Sequence, residues 1–144
     1  MHKTRVVIGG LVLATATAFA QTSSSETLTY EAITANSPVN ISRLRVTQVD
    51  ANGYAIDLSI VAPNRTQHTG HIQGLATREG SHLTLKVPNF QPDGKIDHPS
   101  LCTLVVDLNE TRAAVVSAEN CAGFHGAAAS FVEQGRNLVR VPSV

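Results

Sequence analysis

Tyr54, Ile56, Leu58, Ile60 and Ala62 place an apolar residue at every second position, with Ala55, Asp57, Ser59 and Val61 between them. A period of two belongs to an extended strand, whose side chains point alternately to the two faces of a sheet. The pattern therefore describes a strand with one buried face. Leu83, Leu85 and Val87 alternate with His82, Thr84 and Lys86 in the same way. Similar runs cover residues 27–34, 40–49, 68–77, 101–107, 112–118, 124–131 and 137–142.

Turn-forming residues separate these runs: Asn36-Ser37-Pro38, Asp50-Ala51-Asn52-Gly53, Ala62-Pro63-Asn64, Glu79-Gly80-Ser81, Asn109-Glu110 and Gln134-Gly135. Short strands at this spacing predict an all-β, single-domain antiparallel β-sandwich or small barrel of about eight strands. Residues 127–134 also read as a short helix, so the pattern leaves strand and helix open there. Residues 88–100, PNFQPDGKIDHPS, hold three prolines and a glycine. They read as a long connection, either a binding element or an insertion.

The first twenty residues follow a different logic. Lys3 and Arg5 precede an apolar run from Val6 to Ala18, and Ala18-Phe19-Ala20 is a small-x-small cleavage site. Residues 1–20 are expected to be a bacterial secretory signal peptide cleaved before Gln21, with residues 21–26 a flexible lead-in and residues 27–144 the β domain. The apolar run is shorter than a bilayer span, and none like it follows. The expected compartment is the periplasm or the outside of the cell, with no membrane insertion after cleavage. The chain carries 11 Lys+Arg and 11 Asp+Glu, and loss of Lys3 and Arg5 leaves 9 against 11, a net charge of −2. No basic run remains to bind nucleic acid.

Cys102 and Cys121 are the two cysteines of the chain. In an oxidising compartment an even count predicts one disulfide. If residues 108–110 form a hairpin turn, residues 117–119 return opposite Cys102 and Cys121 arrives just beyond, within bridging reach. The bridge would pin the stretch Cys121-Ala-Gly-Phe-His-Gly126 to the sheet. Gly123 and Gly126 are then expected to supply backbone conformations closed to other residues, with His125 held between them. His125 reads as a residue satisfying backbone groups or as a partner contact. No neighbouring nucleophile or orienting group makes it a catalytic base.

His68, His71, His82, His98 and His125 are the candidate metal ligands of the exported part. His68 and His71 lie three apart, which on a strand sends them to opposite faces unless the chain bends at Gly70. Asp93-Gly94-Lys95-Ile96-Asp97 lacks the alternating acids of a calcium loop. Neither a metal nor a cofactor is expected, and no hydrolase, zincin, phosphate-loop or dinucleotide motif occurs.

The stretch LCTLVVDLNETRAAVVSAENCAGFHGAAASF resembles small, mostly uncharacterised secreted proteins of Gram-negative bacteria. They share a cysteine opening a strand, a hairpin, then C-x-x-x-H-G and a small-residue strand ending in Phe. The segment HTGHIQGLATREGSHLTLKV is similar to the middle of such proteins. Size, export, β pattern and single disulfide are also remotely similar to periplasmic lysozyme inhibitors, although the Ser-Gly-x-x-Tyr loop and Lys-Gly segment of that family are not present. The likeness implies a non-enzymatic protein that inserts a loop into the cleft of a cell-wall hydrolase. Gly123, Phe124, His125 and Gly126 are then the expected contact turn, joined by Phe90 from the long connection. The alternative readings are a small-ligand carrier, which needs an apolar cavity in the barrel mouth, and a histidine-based metal protein.

Overall fold

Each alternating run between residues 27 and 119 becomes a strand. The structure is a computed structural model that describes residues 25–32, 41–63, 67–90 and 93–142, with the backbone alone at residues 96–99. The expected signal peptide, most of the lead-in, and the His98 side chain lie outside the described residues. The strands are β1 (Thr27–Glu31), β2 (Arg43–Gln48), β3 (Gly53–Val61), β4 (Thr69–Glu79), β5 (His82–Phe90), β6 (Ile96–Leu108), β7 (Arg112–Glu119) and β8 (Leu138–Val141). They follow one another around a closed ring, each antiparallel to the next, and β8 pairs back onto β1. The fold is thus the barrel of the two expected architectures.

Alternation decides which face is which. Leu44, Leu58, Ile72, Leu85, Leu104 and Leu138 all point inward and are at most 1% exposed. Arg45, Asp57, His71, Gln73 and Lys86 occupy the intervening outward positions. Burying each such leucine contributes about 1.5–3 kcal/mol, so the filled interior is the main source of stability.

The two ends of the barrel differ. One is made of tight hairpin turns. Asp50 accepts the N–H of Asn52 at 3.0 Å, and Asn109 accepts the N–H groups of Thr111 and Arg112 at 2.9 and 2.8 Å. Gly80 turns between β4 and β5 with φ of 61°, a conformation that favours glycine. The other end is closed by residues 120–137, a cap containing one 3-10 turn (Ala122–Phe124) and the short helix α1 (Phe131–Gly135).

Two expectations are corrected here. Residues 124–131 are not a strand. Ser130 caps α1, its Oγ accepting the Glu133 N–H at 3.3 Å while the Ser130 N–H donates to Gln134 Oε1 at 2.7 Å. Residues 88–100 are not one long loop, because β5 runs to Phe90 and β6 starts at Ile96. Their pairing slips between Pro88 and Asn89, an irregularity of the kind that accommodates a proline's missing N–H. Among the described residues between them, Asp93-Gly94-Lys95 forms a turn. Gly94 has φ of 80°, and the Lys95 backbone N–H and ammonium hold the Asp93 carboxyl below its ordinary value.

The ladder between β4 and β5 is incomplete. It joins Ala76–Glu79 to His82–Leu85 and stops there, leaving the first half of β4 unpaired toward β5. That opening is at the capped end.

Candidate functional site

The cap begins at the disulfide. Cys102 and Cys121 are bonded, with Cα atoms 4.6 Å apart. Thr103 pairs with Glu119 across the β6–β7 hairpin. Cys102 therefore faces the position just after β7, one residue beyond the expected partners, because a register shift at Val105/Val106 adds Val116 to the returning strand. Both cysteines are buried, at 0% and 3% exposure.

From the bridge the chain crosses to β4. His125 forms an isolated antiparallel bridge with Gly70, and the Gly126 N–H donates to the Thr69 carbonyl at 2.9 Å. The β3 side of β4 is already occupied by Ile60 opposite Gly70, so His125 sits on the open side where β5 has peeled away. The His125 ring meets Phe131 edge-on, with centroids 5.4 Å apart and planes at 83°. Its Nδ1 donates to the Gly126 carbonyl at 2.9 Å. CAGFHG is thus a strap that stops the open seam and holds Phe131, 1% exposed, against the core.

The two glycines of the strap act differently from expectation. Among the described residues positive φ occurs at Gln67, Gly80, Gly94 and Asn120, not at Gly123 or Gly126. Asn120, at φ of 56°, makes the sharp departure from β7. Gly126 is required for close approach, since a Cβ there would lie 2.7 Å from His68 Nδ1, while Gly123 faces open space.

Gly70 is the seat of the strap. A Cβ at this position would stand 2.6 Å from His125 Cβ and 2.9 Å from Ile60 Cγ1. Gly70→Ala is expected to destabilise the barrel by about 1–3 kcal/mol, the usual cost of overpacking. Urea denaturation checks this, and hydrogen exchange should accelerate across residues 121–136. Unchanged stability would mean that the strap is not seated on β4.

The expected contact residues divide in two. Gly123 and Phe90 are exposed, Phe90 by 63%. Phe124, His125 and Gly126 are half-buried, with Phe124 packed on the core. All five lie at the capped end. His71 Nε2 meets Asp57 Oδ1 at 3.0 Å on the outer wall, while His68 lies beside Gly126 in the strap. Among the described residues no group of three or more His, Cys, Asp or Glu side chains is placed to hold a metal.

A ligand-sized hollow would leave its lining open to a water-sized sphere. Tyr30, Leu44, Leu58, Ile60, Leu83 and Leu104 are 0% exposed. Side chains therefore fill the barrel where these residues meet, as in small barrels generally.

No local pattern in the chain signals a cluster at the opposite end, where Tyr30, Tyr54, Arg78 and Arg140 meet the hairpin turns. The Tyr30 hydroxyl donates to the Asn109 carbonyl at 3.0 Å. Burial raises its pKa, while the nearby Arg140 and Arg78 guanidiniums act in the opposite direction. These residues come from strands distant in the chain, and only ring closure assembles them. The nearest local signal was an arginine two residues before a turn glycine.

No protein-family model, no curated protein and no solved structure matches this chain.

Proposed function

We propose that this chain is a non-catalytic protein-binding barrel of the bacterial periplasm or exterior that inhibits a cell-wall lytic enzyme of the lysozyme kind through its capped end. The observation that carries this reading is the side-chain-filled interior, which moves recognition to the outer surface. At the capped end a disulfide-tethered strap presents Gly123, and Phe90 is an exposed aromatic able to act as an anchor. Buried aromatic anchors supply much of the affinity at protein interfaces, and a tethered strap loses little entropy on binding.

Export is supported by the leader and by a disulfide of the kind that persists in oxidising compartments. Among the described residues no helix is long and apolar enough to cross a membrane. The strands carry polar residues outward and apolar residues inward, the reverse of a lipid-facing barrel. Balanced charge offers nucleic acid no basic footprint.

The test is inhibition of purified lysozymes by the mature, oxidised protein, alone and as Phe90→Ala. One enzyme should be inhibited, and the variant should be weaker by about tenfold or more while melting like the parent. Absence of inhibition across the panel, or full inhibition by Phe90→Ala, overturns the reading.

A further inference from the structure

The hairpin end carries a cleft of about 750 Å³ that the proposed function does not use. Tyr54 lies in it, 8% exposed. Arg78, near the end of β4, is stacked over that ring with its guanidinium carbon 5.5 Å from the centroid. Arg78 Nη1 donates to the Tyr54 hydroxyl at 3.3 Å, and Nε donates to the Gly80 carbonyl at 2.8 Å. The guanidinium is thus oriented from two sides before any ligand arrives, and Nη2 remains to donate. The Tyr54 oxygen accepts from Arg78, so its own proton is left to donate as well.

The acids of the cleft are already engaged. Glu26 pairs with Arg140 at 3.2 Å, and Asp50 Oδ1 accepts the N–H groups of Asn52 and Gly53. Arg78 has no carboxylate partner among the described residues. Leu28, Val46 and Val49 form the apolar part of the lining, with Val49 exposed by 52%.

We propose that this cleft binds a carboxylate carried on a short aliphatic group. The carboxylate accepts from Arg78 and from the Tyr54 hydroxyl, and the aliphatic part lies on Leu28 and Val49. With Glu26 and Asp50 engaged elsewhere, the single guanidinium of Arg78 balances one negative charge, which suits a monoanion better than a phosphate dianion. A guanidinium matches the planar fork of a carboxylate. A medium-chain fatty acid and the C-terminal residue of a peptide both offer this chemistry.

Calorimetric titration of the oxidised protein tests the site with octanoate, with an acetylated tripeptide ending in leucine, and with the C-terminal amide of that tripeptide. At least one of the two acids should bind. The amide and the Arg78→Gln variant should each be weaker by about tenfold or more, since each removes a charge-assisted pair. Val49→Asp, a change at an exposed position, should weaken binding comparably by placing a like charge beside the ligand. It carries the test if Arg78→Gln fails to fold. Octanoate binding alone assigns the site to free acids, and tighter tripeptide binding assigns it to chain ends. Binding of neither acid, equal binding of the amide, or undiminished binding by both variants overturns the proposal.

Discussion

Phe131→Ala is expected to cost the barrel about 3–5 kcal/mol, the range for deleting a buried aromatic side chain. Phe131 is 1% exposed and is the large apolar group that α1 delivers to the core. A small domain has roughly 5–15 kcal/mol in total, so the variant should lose a large fraction of its stability. The remaining structure has little freedom to close the void. Gly135 already packs so tightly on β7 that a Cβ there would lie 2.6 Å from Val115 Cγ2. The urea midpoint should fall sharply with the slope unchanged. The His125 ring protons should also lose the shift imposed by the edge-on contact at 5.4 Å. A cost within about 0.5 kcal/mol, as for a surface position, would show that α1 merely rests on the barrel.

The second large effect is loss of the disulfide. Replacing Cys102 and Cys121 together by alanine frees a loop with a sequence separation of 19 residues. The chain-entropy model puts the loss at about 3 kcal/mol, which for a domain of this size lowers Tm by roughly 10–15 °C. The damage should be unevenly distributed. Hydrogen exchange should speed up first across residues 121–136, because the bridge anchors the start of the strap, whereas the turns at Asp50, Gly80 and Asn109 keep their own hydrogen bonds. A uniform acceleration throughout the barrel would instead mean that the bridge stabilises the sheet as a whole.

Burial on one side of each strand was legible because it is written locally. The alternation from Tyr54 to Ala62 matches the inward face of β3, and the cysteine pairing followed from count and hairpin register. Closure into a ring was not legible, since alternation states which residues are buried but not which strands are neighbours. Over 124–131 the pattern leaves strand and helix open, and the structure decides against the strand for a definable reason. Ser130 with Glu133 is an N-cap pattern, and it competed with a run of small residues that also suits a strand. The function of CAGFHG was hidden for another reason. The partner of His125 is Gly70, more than fifty positions earlier, where the absence of a side chain makes the contact possible. The arginine and tyrosine of the hairpin-end cleft are likewise brought together by the pairing of β3 with β4.

β8, the shortest strand, carries a kinetic consequence. Seven strands can zip together as successive local hairpins. Joining the ring then requires four residues to find β1 across more than a hundred positions of chain, through three register pairs with β1 and two with β7. Loop-closure entropy is largest for that step and the ladder contacts that repay it are fewest. The rate of acquiring the native barrel should thus be governed by the docking of β8, and its transient release should be the first opening through which solvent reaches the core.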